Sequence, residues 1–319
     1  MYSIDQLIGF INDEIKGSYK ERTPINLYQP IEYSMSVGGK RIRPVLCLMA
    51  CNLFSEDIST AIKPAVGLET FHNFTLLHDD IMDNADVRRN QPTVHKKWDA
   101  NTAILSGDAM MIEAYDYFLN LSPELLSKTF KVFNKTALEV CEGQQYDMDF
   151  ESQENVEEKE YIEMIRLKTA VLLAGALKIG AIIGGAQEKD SDKIYQFGIN
   201  MGLAFQLQDD FLDTFGDEAS FGKRIGGDIS ENKKTFLWIS ALKKAPELFA
   251  SVLQKNLPEQ EKIKEITAVY RQLGVDKLTQ NRILDYYRKA LSLLESIDVE
   301  EQKKAMLLTF LNKLKERII

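Results

Sequence analysis

Histidine and cysteine are scarce in this 319-residue chain, three of each, and neither a disulfide framework nor a zinc site is expected from them. Cys47, Cys51 and Cys141 form an odd set without the spacing of a secreted disulfide framework, so a reducing cytoplasm is the setting that fits. Cys47 and Cys51 stand four apart in an apolar stretch with no histidine at ligand spacing; they are read as core packing, and no zinc site is expected. Turn formers are few as well, 8 Pro and 18 Gly, which leaves long elements rather than a loop-rich scaffold. A membrane span is missing: the most apolar segment, Val171 to Ala186, has 16 residues and contains Lys178, short of the roughly 20 a spanning helix needs. Met1-Tyr2-Ser3-Ile4-Asp5 has no basic region ahead of an apolar run, so no secretory signal is expected. Excess positive charge is lacking too, and a net charge of −9 excludes a general nucleic-acid binder, which needs a basic face to displace counterions from phosphates.

What the chain does have is apolar material, 45% of residues against 27% charged, enough for a large core. Apolar residues recur every three or four positions, with almost no sustained alternation of the strand type, which predicts an all-α fold. Helices are expected at 3–20, 29–37, 42–54, 59–83, 101–119, 124–149, 157–186, 190–214, 233–243, 259–272, 276–296 and 299–317. Breaks fall at Gly38-Gly39, Asn90-Gln91-Pro92, Ser122-Pro123 and the polar stretch Gly216 to Asn232. The acidic run Glu151 to Glu160 is a solvated connection. Nothing resembles an interdomain linker, so residues 1–319 are expected to form a single domain. Gly175, Ala176, Gly180, Ala181, Gly184 and Gly185 would let a neighbouring helix, or a second subunit, approach closely.

Two acidic motifs carry the chemistry: Asp79-Asp80-Ile81-Met82-Asp83 and Asp209-Asp210-Phe211-Leu212-Asp213. Residues four apart on a helix lie about 40° from each other and one turn apart, so Asp79 and Asp83 share a face, as do Asp209 and Asp213. Like charges so placed oppose the helix unless a cation lies between them. All-oxygen ligands select Mg²⁺ or Mn²⁺ over zinc, and Mg²⁺ takes only one or two protein carboxylates, completing its shell with water and phosphate. A single DDxxD would fit an exposed acidic helix face equally well. Two copies do not, because both follow strongly apolar sequence, Phe74-Thr75-Leu76-Leu77 and Gly202-Leu203-Ala204-Phe205, and burying six acids without cations would cost several kcal/mol each.

Cations stand at matching places. Gly38-Gly39-Lys40-Arg41-Ile42-Arg43-Pro44 sets three of them beside a permissive turn at the start of an apolar helix, a geometry suited to anion capture. Arg88 and Arg89 follow the first motif; Lys223 and Lys233 follow the second. His72 precedes Asp79 by seven residues, within about 20° of the same face, and could donate to a phosphate. His78 and His95 have no partner at a usable spacing.

Together these residues resemble the trans-prenyl diphosphate synthases, the family of the farnesyl and geranylgeranyl diphosphate synthases. The resemblance runs from about residue 29 to 240, through Gly38 to Pro44, Leu77 to Asp83, Arg88-Arg89, Lys168-Thr169, Gln206 to Asp210 and Gly222-Lys223-Arg224-Ile225-Gly226-Gly227-Asp228. It implies a single bundle of antiparallel helices around a central cavity, the isoprenoid synthase type I fold, paired as a homodimer with the acidic motifs facing across the cavity mouth. It implies that Asp79, Asp83 and Asp209 coordinate three Mg²⁺ ions on an allylic diphosphate, with Asp80, Asp210 and Asp213 completing the metal motifs and Arg88, Lys168 and Lys223 assisting. Lys40, Arg43, His72 and Arg89 would hold isopentenyl diphosphate, with Lys233 a further substrate contact. Thr169 and Gln206 would turn oxygen dipoles toward the allylic cation formed when diphosphate leaves.

In such enzymes bulky residues just upstream of the first acidic motif form the cavity floor. Phe74, five residues before Asp79, followed by the small Thr75, resembles the short-chain geranylgeranyl (C20) type. Farnesyl diphosphate synthase (C15) is the near alternative, and a class I terpene cyclase or a non-catalytic subunit of a heteromeric synthase stand further off.

Overall fold

The computed structural model describes residues 2–16, 18–19, 21–216, 225–255 and 257–316. Its elements in chain order are α1 (Ile4–Ile15), α2 (Ile25–Ser36), α3 (Ile42–Phe54), α4 (Ser59–Met82), a two-residue hairpin of β1 (Val87–Arg88) and β2 (Gln91–Pro92), α5 (Val94–Lys97), α6 (Ala100–Asp116), α7 (Pro123–Ser152) and α8 (Glu158–Ile165). A π-helical turn (Arg166–Ala170) follows, then α9 (Val171–Ile183), α10 (Glu188–Phe215), α11 (Gly227–Ser230), α12 (Phe236–Lys244), α13 (Pro246–Leu253), α14 (Glu259–Gln272), α15 (Val275–Glu295) and α16 (Glu301–Lys315). The all-α expectation holds. Among the described residues none of these helices is long and apolar enough to cross a membrane.

The chain divides into two compact units. The first comprises Met1–Phe133, Ala176–Asp192 and Asp298–Leu307. Its centre is α4, packed on α6 and α3, with α1 and α2 alongside. Gly67 of α4 lies against the Ala114 carbonyl of α6, where a Cβ would come within 2.8 Å. Helix α3 is buried from Pro44 to Leu53, as a helix apolar on every side must be. The small residues of α9 serve this unit: added Cβ atoms at Gly180 and Gly184 would strike the Cys47 and Cys51 carbonyls. The close neighbour of those two glycines is therefore α3, and Cys47 and Cys51 are core residues at 0% and 1% exposure.

The second unit comprises Asn134–Gly175, Lys193–Ile297 and Leu308–Ile319. One cluster within it gathers Leu237 and Trp238 of α12, Phe249 and Val252 of α13, and Tyr270 of α14. At Gly143 of α7 an added Cβ would meet the Leu167–Lys168 backbone, so α7 runs against the π-helical turn. The acidic run before α8 is partly a cap: the Glu157 amide donates to Glu160 Oε2 at 2.7 Å in a capping box.

Three local differences from the sequence expectation have physical causes. No helix is expected between 243 and 259, yet α13 forms there with Pro246 in its first turn, where its missing N–H costs nothing. Helix α2 starts at Ile25, directly after the extended N-cap Pro24 and ahead of the expected start at 29, and so carries Pro30 in its interior. The expected helix over 157–186 is interrupted by the π-helical turn, which apolar periodicity does not announce.

Candidate active site

In the first unit the cationic residues gather where α2, α3 and α4 meet. Gly38 and Gly39 both have positive φ, +86° and +147°, and Arg41 caps α3 in the left-handed region at φ 48°. Arg41 is held there by its guanidinium, which donates to Glu69 Oε1 at 2.8 Å and to the Met35 carbonyl at 2.6 Å. It is a buried brace, whereas Lys40 beside it is exposed. Arg43 Nη1 donates to His72 Nε2 at 2.9 Å, so the imidazole accepts there and carries its hydrogen on Nδ1. Burial, reinforced by Arg43 and Arg89, holds His72 well below the usual histidine range, and the ring is neutral. Burial also pulls Arg43 down to about 10 against the attraction of Glu69, and the buried Arg43 Nε has no partner among the described residues. Arg89 donates to the Gly38 carbonyl, and its guanidinium lies over Gly39, where a Cβ would come within 2.8 Å.

Arg88 turns the other way, to the end of α4: Nε donates to Asp80 Oδ1 at 2.7 Å and Nη2 to Asp79 Oδ2 at 3.4 Å. Asp80 is 5% exposed, and burial raises its pKa against the pull of Arg88. Asp79 is half-buried, while Asp83 is exposed at the C-cap. Upstream on α4, Phe74 is buried and Thr75 donates its hydroxyl to the His72 carbonyl at 2.8 Å.

In the second unit the π-helical turn places Lys168 toward α7, 2.5 Å from Asp147 Oδ2, and Thr169 toward α10, donating to Gln206 Oε1 at 2.9 Å. Such a turn inserts one extra residue into the helix and redirects neighbouring side chains, a recurrent device at functional sites. Gln206 Nε2 donates to Asp210 Oδ1 at 2.9 Å, and the buried Tyr161 hydroxyl donates to Asp210 Oδ2. Asp213 Oδ2 accepts the Asp228 amide at 3.0 Å. Lys233 stands 3.1 Å from Glu231 and 3.9 Å from Asp228; burial opposes its charge, but those carboxylates prevail and raise its pKa. Lys223 lies outside the described residues.

The second unit thus holds Asp147, Asp209, Asp210, Asp213 and Asp228 with Lys168 and Lys233 among the described residues. Burial pushes Asp210 up to about 7, opposed by its Tyr161 and Gln206 hydrogen bonds. Burial, with Asp210 and Asp213, pushes Asp228 up to about 8. Carboxylates crowded this far from their usual range fit a bound divalent cation, which relieves both the repulsion and the desolvation. Among the described residues no three His, Cys, Asp or Glu form a preformed cage.

Sequence reasoning missed Glu69, Asp147 and Tyr161. Asp147 had a signal: it lies four residues after Gly143, one turn along the face of α7 that meets the π-helical turn. Tyr161→Phe is expected to cost about 1–3 kcal/mol of unfolding free energy, since it removes a donor from a buried acceptor. Denaturant unfolding measures this, and a change under about 0.5 kcal/mol would show the bond to be idle.

Comparison with known proteins covers the same ground. The polyprenyl synthetase family model matches residues 24–273. The chain belongs to the polyprenyl synthetase family. This synthetase is 38% identical over 275 residues to the geranylgeranyl diphosphate synthase of Methanosarcina mazei, covering 85% of this chain and 82% of that protein. A crystal structure of a geranylgeranyl pyrophosphate synthase is 44% identical, with a TM-score of 0.95 over 99% of both chains. The geranylgeranyl pyrophosphate synthase of Corynebacterium glutamicum, solved with isoprenyl diphosphate and magnesium, is 28% identical with a TM-score of 0.85, over 98% of this chain and 97% of that one. The family, the all-α isoprenoid synthase fold and a short-chain prenyl-transferring enzyme are thereby borne out.

Proposed function

We propose that this synthetase condenses isopentenyl diphosphate with dimethylallyl, geranyl and farnesyl diphosphates, and that its main product is all-trans geranylgeranyl diphosphate. The observation that carries the chain length is Phe74, a buried aromatic one turn before His78 and five residues before Asp79; the relatives of 38% and 44% identity named for the C20 product support it. By the family's paired motifs, Asp79, Asp83, Asp209 and Asp213 would hold Mg²⁺ with the allylic diphosphate, with Mn²⁺ as the alternative ion. Bound there, the metal neutralises charge developing on the departing diphosphate.

The remaining work falls to this chain's own groups. Asp80 and Asp210, tied to Arg88 and to Tyr161 and Gln206, orient the acidic motifs. Arg88, Lys168, Lys223 and Lys233 add cations to the allylic diphosphate. Lys40, Arg43, His72 and Arg89 bind isopentenyl diphosphate: the neutral His72 offers Nδ1–H, and the unpartnered Arg43 Nε offers a further donor. The Thr169 hydroxyl donates its hydrogen bond to Gln206 Oε1, which leaves its oxygen lone pairs for the allylic cation. No side chain at the site is assigned as general base, and the departing diphosphate takes the final proton.

Ile104, Leu105 and Ile112 on α6 are 44%, 60% and 63% exposed, an apolar face that supports a homodimer.

The deciding experiment incubates the purified chain with labelled isopentenyl diphosphate and each allylic primer, with Mg²⁺ and with chelator, and sizes the products. C20 product from all three primers, abolished by chelator, is expected. A C15 endpoint would make the chain a farnesyl diphosphate synthase, and no elongated product would leave the cyclase or non-catalytic alternatives.

A further inference from the structure

His78 has no part in the chemistry described above, yet it occupies a specific place. It stands one residue before Asp79 and four after Phe74 on α4, and its ring lies against α6. Its Nε2 is 3.2 Å from the Ile104 carbonyl; since a carbonyl only accepts, Nε2 carries the hydrogen and the ring orientation is set. The ring fills the space over Gly107, where an added Cβ would land on the imidazole. A second contact, 4.0 Å to Asp108, lies on the same helix.

Phe74 is the ring that His78 touches. The two meet edge to face, centroids 4.8 Å apart at 68°. On its other side Phe74 meets Phe71 at 5.4 Å. Phe71 is itself backed by Phe133, and Phe133 by Phe118 and Tyr115, at 4.8–5.4 Å. One side of Phe74 is thus a continuous aromatic stack. On the other lies the His78 imidazole, hydrogen-bonded to Ile104 and admitted by Gly107.

We propose that His78, seated in the notch at Gly107, is a positioning residue that holds Phe74 across the path of the growing chain and so helps to set product length. This rests on the reading of Phe74 as the cavity floor. The stack behind Phe71 bars the ring from turning that way at interior packing density. Loss or displacement of His78 opens space toward α6, and Phe74 can rotate into it. The polar edge of the imidazole matters as much as its bulk, because the bond to Ile104 fixes which way the ring faces Phe74.

The test sizes the products of His78→Ala, Gly107→Ala, Phe74→Ala and the double variant His78→Ala/Phe74→Ala, with farnesyl diphosphate as primer. Product ratio is read within each preparation, so a partial loss of folded enzyme does not blur it. Gly107→Ala leaves the imidazole present but displaced, which separates position from composition. The ratio of products longer than C20 to C20 is expected to rise roughly three- to tenfold in both His78→Ala and Gly107→Ala, the scale of one lost aromatic edge contact. The double variant should match Phe74→Ala alone, since His78 acts only through that ring. Wild-type product ratios in both His78→Ala and Gly107→Ala, with Phe74→Ala lengthening the product, would overturn the role of His78 and leave the floor standing. Additive lengthening in the double variant would overturn it too, by showing that His78 acts apart from Phe74. An unchanged ratio in Phe74→Ala would remove the floor, and the role of His78 with it.

Discussion

Asp79→Ala is expected to lower kcat by about three orders of magnitude, with a smaller change in KM for the allylic substrate. The carboxylate stands one helical turn from Asp83 and shares Arg88 with Asp80, so in the proposed site it brings metal and cation to the same diphosphate. Electrostatic stabilisation of a leaving group by a metal is worth several kcal/mol, and each 1.36 kcal/mol is a factor of ten in rate. The effect should concentrate in kcat because charge on the diphosphate grows as the C–O bond breaks, and the interaction strengthens along that coordinate. Asp80→Asn tests the division of labour within the motif. Its carboxylate is buried against Arg88 rather than presented outward, so its loss should act by misplacing Arg88 and cost less. Steady-state rates over a Mg²⁺ titration give both numbers. An Asp79→Ala enzyme within tenfold of wild type at saturating Mg²⁺ would remove that residue from the metal site.

Which parts of this molecule could be read from its sequence depends on how far apart the interacting residues lie. Helices α3, α4 and α14 are found within a residue or so of their expected bounds, because a helix declares itself through neighbours three and four positions away. Both acidic motifs are legible for the same reason: the spacing of their carboxylates is internal to one helix. The residues that hold them are not. Tyr161 reaches Asp210 across 49 positions and Glu69 reaches Arg41 across 28, and nothing local distinguishes them from any other buried tyrosine or solvated glutamate. Arg41 shows the resulting error in kind. From its place beside Lys40 and Arg43 it looks like one more anion ligand, whereas its guanidinium is already engaged by Glu69 and Met35. The π-helical turn is illegible in another way, since Leu167 and Ala170 keep the apolar period while the backbone takes up an extra residue.

Glu69→Ala is expected to cost about 3–5 kcal/mol of folding free energy, the penalty for removing one partner of a buried ion pair. Glu69 is 2% exposed and Arg41 7%, and Glu69 is also the acid whose field supports Arg43 and Arg89 against burial. One carboxylate therefore answers to three guanidiniums, and without it Arg41, in its left-handed conformation, is a buried charge with only the Met35 carbonyl among the described residues. Against a typical total of 5–15 kcal/mol that loss is severe. Replacing both partners by apolar residues of similar size, Arg41→Met with Glu69→Leu, should recover much of it, because the cost lies in the orphaned charge rather than in the missing bond. The same cluster gives the variant a distinctive signature. A bound diphosphate supplies negative charge to Arg43 and Arg89 when Glu69 no longer does, so inorganic diphosphate should raise the melting temperature of Glu69→Ala by more than that of the wild type. Equal shifts in the two proteins, or a stability loss under about 1 kcal/mol, would mean that Glu69 is not the counter-charge of this site.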